Sequence, residues 1–131
     1  MKCKNALDTN YQKPAWKHYM KIETKEKDNV ILISISGKID LYNTKEITQL
    51  LEKFIRENKL RIIVNLENVP FMDSSGFVSL VTWTRKFQQY SGSLKILNVT
   101  GFVKKIIEQN SMKAILQIYD SENAALESFT Q

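Results

Sequence analysis

Residues Leu60–Tyr90 read LRIIVNLENVPFMDSSGFVSLVTWTRKFQQY. The run Leu60–Leu66 is short, apolar and rich in β-branched residues, the pattern of a buried strand. Pro70 cannot continue regular structure. From Gly76 to about Tyr90 the residues Phe77, Leu80, Val81, Thr84 and Phe87 recur at helical spacing. Ser91-Gly92 supplies a C-terminal stop. The stretch is therefore a strand–loop–helix unit, and its flanks decide how often that unit recurs.

Upstream, Thr44–Asn58 carries Ile47, Leu50, Leu51, Phe54 and Ile55 on one stripe, with Asn43 or Thr44 placed to cap it. Before it, Val30–Ser36 (VILISIS) is a second buried strand, ended by Gly37. His18–Lys25 alternates as a strand does, and Lys27-Asp28-Asn29 joins the two as a turn. Downstream, Leu94–Val99 is a strand, and Thr100 opens a helix holding Phe102, Val103, Ile106 and Ile107. Ala114–Tyr119 reads as a last strand. Ser121 then caps a short helix with Ala125, Leu126 and Phe129. The order β-β-α-β-α-β-α-β-α predicts an α/β fold, with a mostly parallel central sheet of about five strands, an N-terminal antiparallel hairpin and about four helices.

The 131 residues are 43% apolar and 25% charged, which fits one soluble domain. Cys3 is the one cysteine and His18 the one histidine, so a disulfide framework, a multi-cysteine metal site and a histidine pair are excluded. No G-x-S-x-G elbow sets a serine beside that histidine, so a Ser-His-Asp hydrolase is unsupported. The four glycines, Gly37, Gly76, Gly92 and Gly101, form no phosphate-cradling loop, and no cofactor is expected. No apolar run nears the ~18–20 residues of a membrane span, and the first residues lack a secretory signal. A cytoplasmic protein is the expectation.

The net charge is +5, of which residues 1–20 carry +3, from Lys2, Lys4, Lys13 and Lys17 against Asp8. Residues 1–17 are expected to be a mobile basic arm, with Tyr11 and Trp16 as docking points, and residues 18–131 the domain. Elsewhere acids and bases interleave, as solvated helix faces do, so direct nucleic-acid binding is not expected.

The chemistry concentrates at Phe71–Gly76, where a strand passes into a helix. In open α/β sheets such junctions meet ligands and partners. Asp73 fits a helix N-cap, its charge complementing the dipole. Ser74 and Ser75 stand beside it. They read either as further caps or as a phosphorylation site, because a helix N-terminus tolerates a phosphate.

Four segments carry a family resemblance: GKID (Gly37–Asp40), IVNLENVPFMDSSG (Ile63–Gly76), GSLKILNV (Gly92–Val99) and DSENAAL (Asp120–Leu126). From about residue 18 to residue 130 the chain resembles a STAS domain of the stand-alone bacterial anti-sigma factor antagonists. The resemblance implies that Ser74 is phosphorylated by an anti-sigma factor serine kinase. It implies that the unmodified form binds that kinase, freeing a sigma factor and so regulating transcription, and that a PP2C-type phosphatase restores it. Asp73, Ser75 and Gly76 would shape the turn, with Gly76 letting a partner approach closely. Asp40, Phe77 and Val78 would contact the partner, the last two departing from the Leu-Gly common in relatives. The chain would be no enzyme and would hold no ATP itself. Two other readings stand beside this one: an unphosphorylated STAS subunit of a larger transport or lipid-handling assembly, and a small-ligand or nucleotide sensor.

Overall fold

The computed structural model describes residues 20–130. The expected arm, and the first two residues of the expected first strand, lie outside the described residues. Strands β1 (Met20–Lys27) and β2 (Val30–Gly37) pair antiparallel, Lys27 opposite Val30. The loop between them is two residues long, and Asp28 and Asn29 have φ of 55° and 65°. Positive φ at both positions is the requirement of a type I′ turn, and Asp and Asn accept it at low cost. Gly37 ends β2 at φ 104°, a conformation that side chains disfavour.

Strands β3 (Arg61–Asn68), β4 (Ser93–Leu97) and β5 (Ile118–Tyr119) complete a five-stranded sheet in the order β1-β2-β3-β4-β5. All pairings after the hairpin are parallel. The helices are α1 (Thr44–Arg56), α2 (Ser74–Gln89), α3 (Gly101–Glu108) and α4 (Glu122–Glu127). Each parallel crossover steps in the same direction, so a single handedness puts α1, α2 and α3 on one face of the sheet. The strand alternation agrees. Ile31, Ile33, Ile35, Ile62, Val64, Leu66, Leu94 and Ile96 share a cluster with residues of those three helices. The intervening Val30, Leu32, Ile63 and Leu97 pack with Ala125 of α4.

The sheet and helices match the expected architecture, with local differences. The expected strand Ala114–Tyr119 is instead a 3-10 turn, Ser111–Ile115, followed by the two-residue β5. Asn110 caps that turn, its Oδ1 accepting the Met112 N–H at 3.0 Å, which commits the chain to a turn before the apolar run can extend. Helix α1 stops at Arg56, two residues early, and Asn58 takes a positive φ of 59°. After α2 it is Ser91, not Gly92, that turns left-handed, at φ 63°. No helix among the described residues is long and apolar enough to cross a membrane.

Candidate functional site

Two loops meet at the carboxyl end of the sheet. The first leaves β2 through Lys38–Asn43, and the second leaves β3 through Val69–Asp73. Ile39 joins them. Its N–H donates to the Phe71 carbonyl at 3.1 Å, and its carbonyl accepts the Asp73 N–H at 3.2 Å. The pairing is a one-step parallel bridge, Ile39 with Met72, and both side chains are fully buried. Apolar residues pinned under polar loops hold the turn residues above them in place.

Asp73 is the N-cap of α2, extended at ψ −177°. Its Oδ1 accepts the Gly76 N–H at 2.9 Å and the Ser75 hydroxyl at 2.6 Å. Partial burial works against its charge. Hydrogen bonds from the Ser75 hydroxyl and from the Gly76, Leu41 and Ser75 N–H groups outweigh that, holding the carboxyl below the ordinary aspartate range. The Leu41 bond is a second tie between the loops.

Ser74 is the first residue of α2 and is exposed. Among the described residues its hydroxyl makes no hydrogen bond, whereas that of Ser75 is given to Asp73. The two serines are adjacent in sequence and different in chemistry. Ser74 presents a free nucleophilic oxygen at the positive end of a sixteen-residue helix.

Asp40 folds its own loop. Its Oδ1 accepts the Tyr42 N–H at 2.9 Å and the Asn43 N–H at 3.2 Å. Asn43 Oδ1 in turn accepts the Asp40 N–H at 2.9 Å, while its Nδ2 donates to the Lys38 carbonyl. Asn43 stands at the N-cap position of α1 without a side-chain cap bond, its amide being spent on this loop.

Two expectations change. Phe77 is 2% exposed and packs in the main cluster, so its ring is a core side chain and not an outward-facing one. Gly76 is also buried. A Cβ there would lie 2.3 Å from Met72 Cγ and 3.2 Å from Ile39 Cγ2, so the close approach it permits is to its own chain. Val78 does face outward, 60% exposed, one turn beyond Ser74.

Other exposed apolar residues at this end escaped the sequence reading. Leu41 and Tyr42 are 66% and 71% exposed. Phe71 and Phe102 stack with centroids 5.2 Å apart, and the Lys38 ammonium lies 5.7 Å from the Phe71 centroid. Phe102 sits on a helical stripe and so reads as core. Leu41 and Tyr42 carry a usable signal, two large residues in a loop with no periodic partner. Among the described residues no group of three potential metal ligands occurs.

A family model described as STAS domain matches residues 21–125. An anti-sigma-B factor antagonist of Staphylococcus aureus is 28% identical over 99 residues, covering 76% of this chain and 92% of that protein. An anti-sigma F factor antagonist of Paenibacillus polymyxa is 25% identical over 108 residues, covering 82% and 92% respectively. Among solved structures, the Bacillus cell fate determinant SpoIIAA in its phosphorylated form superposes with a TM-score of 0.64. It is 20% identical, and the match covers 83% of this chain and 99% of that one, a likeness of fold. The match of the family model along most of the described domain, together with the sheet order seen here, places this chain in the STAS domain family.

Proposed function

We propose that this chain is an anti-sigma factor antagonist whose binding to an anti-sigma serine kinase is switched off by phosphorylation of Ser74. The observation that carries the reading is the difference between the two serines. Ser74 offers an exposed, unengaged hydroxyl, and Ser75 has spent its own on the cap. The names of the curated relatives and the phosphorylated state of a fold neighbour support it.

A phosphate on Ser74 adds about −1.5 to −2 charges beside a carboxylate that the turn already keeps ionised. The helix N-terminus tolerates that charge, so the domain stays folded. A partner shaped for a neutral hydroxyl meets an unpaired, solvated dianion, and binding is lost. A PP2C-type phosphatase resets the switch. The chain works in the cytoplasm and catalyses nothing itself. ATP belongs to the kinase.

The test is a reaction with the anti-sigma serine kinase followed by peptide mapping. Label is expected on Ser74, and Ser75→Ala is expected to remain a substrate. Ser74→Ala keeps kinase binding and takes no label. Ser74→Asp binds more weakly, with an unchanged far-UV spectrum. Label on Ser75 overturns the reading. So does absence of label where an established family substrate is phosphorylated, and the assembly-subunit reading then gains.

A further inference from the structure

Helix α2 borders a groove of about 490 Å³ that the Ser74 turn does not use, closed on its far side by the 3-10 turn Ser111–Ile115. Val78, Val81 and Met112 make its wall apolar, and both Val78 and Met112 are exposed. Thr82, between them, turns its hydroxyl back to the Val78 carbonyl at 2.9 Å. Arg85 stands at the groove, exposed, and among the described residues it makes no ion pair. Its neighbour Lys86 is held by Glu52 of α1 at 2.9 Å. Arg85 is therefore the groove's uncommitted charge.

We infer that this groove seats an amphipathic helix of the protein partner, with apolar residues at i, i+4 and i+7 against Val78, Val81 and Met112 and a carboxylate opposite Arg85. The inference rests on the proposed function and names the chemistry of its partner. Two observations select this occupant. The groove begins at Phe77 and Val78, within about one turn of Ser74, so a partner helix lying along α2 ends at the switch residue. From Val78 to Gln89 the helix rises about 16 Å, enough for three turns of a facing helix. The second observation is charge. Arg85 attracts an acidic segment, whereas the chain's own N-terminal residues carry four lysines against one acid and are repelled. The same acidity gives the phosphate its leverage, since like charges then face each other at one end of the groove.

The experiment measures binding of the full chain to the kinase that phosphorylates it, by calorimetry, with two charge reversals. Arg85→Glu is expected to weaken binding by about tenfold or more, and Arg85→Lys to recover most of the loss. Lys25→Glu makes the same charge change on exposed β1 and is expected to stay within about twofold. Unchanged melting curves show that each variant is folded. Equal affinity of Arg85→Glu and the parent overturns the inference while leaving the Ser74 switch intact. If no kinase binds the parent, the proposed function has failed, and a peptide arm still tests the groove. There, nitrogen-15 NMR follows a synthetic helical peptide with leucines at i, i+4 and i+7 flanked by glutamates, and its lysine counterpart. Shifts confined to α2 and residues 110–112, stronger for the glutamate peptide, support the groove, and shifts elsewhere or none overturn it. Tighter peptide binding after deletion of residues 2–19 shows the chain's own arm as occupant. Self-association abolished by Val78→Asp shows a second copy. Either result overturns the inference.

Discussion

The two faces of the sheet are built to different standards. One is covered by α1, α2 and α3, whose apolar stripes share a continuous core with Ile31, Ile33, Ile62, Val64 and Ile96. The other is covered by α4, a six-residue helix that buries Ala125 against Val30, Leu32, Ile63 and Leu97. That thin face also buries Lys95, which is 7% exposed and has no acid partner among the described residues. Its ammonium lies 4.8 Å from the Phe129 centroid and 5.4 Å from that of Tyr119. The thick face carries α2 and hence Ser74, so the turn at the head of that helix rests on the better-packed half of the molecule.

Neighbouring isoleucines on β3 put the comparison to its largest test. Ile62 points to the thick face and Ile63 to the thin one, and both are fully buried. Truncation leaves a cavity that a rigid wall cannot close and a short helix partly can. Ile62→Ala is expected to cost about 3–5 kcal/mol and Ile63→Ala about 2–3 kcal/mol in urea unfolding. Equal losses would break the distinction between the faces.

Asp73 tests how firmly α2 is fastened to the thick face. Asp73→Ala removes the cap and is expected to cost about 0.5–2 kcal/mol at neutral pH. The folded carboxyl titrates below its ordinary value of 3.8. Its contribution is therefore complete above that value and is lost as pH falls through the lower, folded one. The gap between parent and variant is expected to hold steady from neutral pH down to about pH 5 and to close below about pH 4. A gap that widens on acidification would mean that the carboxylate destabilises the turn.

The smallest effect belongs to the thin face. Replacing a buried cation by an apolar side chain of similar length is often close to neutral. Lys95→Met is expected to change stability by less than about 1 kcal/mol, because lost cation–π attraction offsets relieved desolvation. Amide exchange should quicken only in residues 122–130. A loss above about 2 kcal/mol would make Lys95 the main fastening of that face.

What the sequence disclosed follows the same division. The strands β2, β3 and β4 were readable because burial on both faces leaves continuous apolar runs, and the stripe of α1 because burial on one face imposes a period of 3.6. Asp73 was readable as a cap because a cap has local chemistry, although the helix it opens begins at Ser74, two residues before the expected Gly76. Phe77 was not. Helix α2 packs against α1, Lys86 meeting Glu52, and has the 3-10 turn at its other flank. Its buried arc is accordingly wide enough to take in a position that looks like part of the loop surface. The run Ala114–Tyr119 misled because its β-branched residues suit a strand, and one side-chain bond from Asn110 bends the chain first. Gly76 was legible as a site of close approach, but what approaches, Met72, is fixed only by the bridge to Ile39.

The strand order has a further consequence. In doubly wound sheets the order reverses once, the crossovers on either side of that point leave in opposite directions, and a crevice opens between them for a small ligand. Here the order runs β1 to β5 without reversal. Its three parallel crossovers all turn to one side, so the sheet has no topological switch point to split its carboxyl edge. The loops there close over Ile39 and Met72 instead of parting. An edge made this way is bridged and not split, and it suits being covered by another macromolecule.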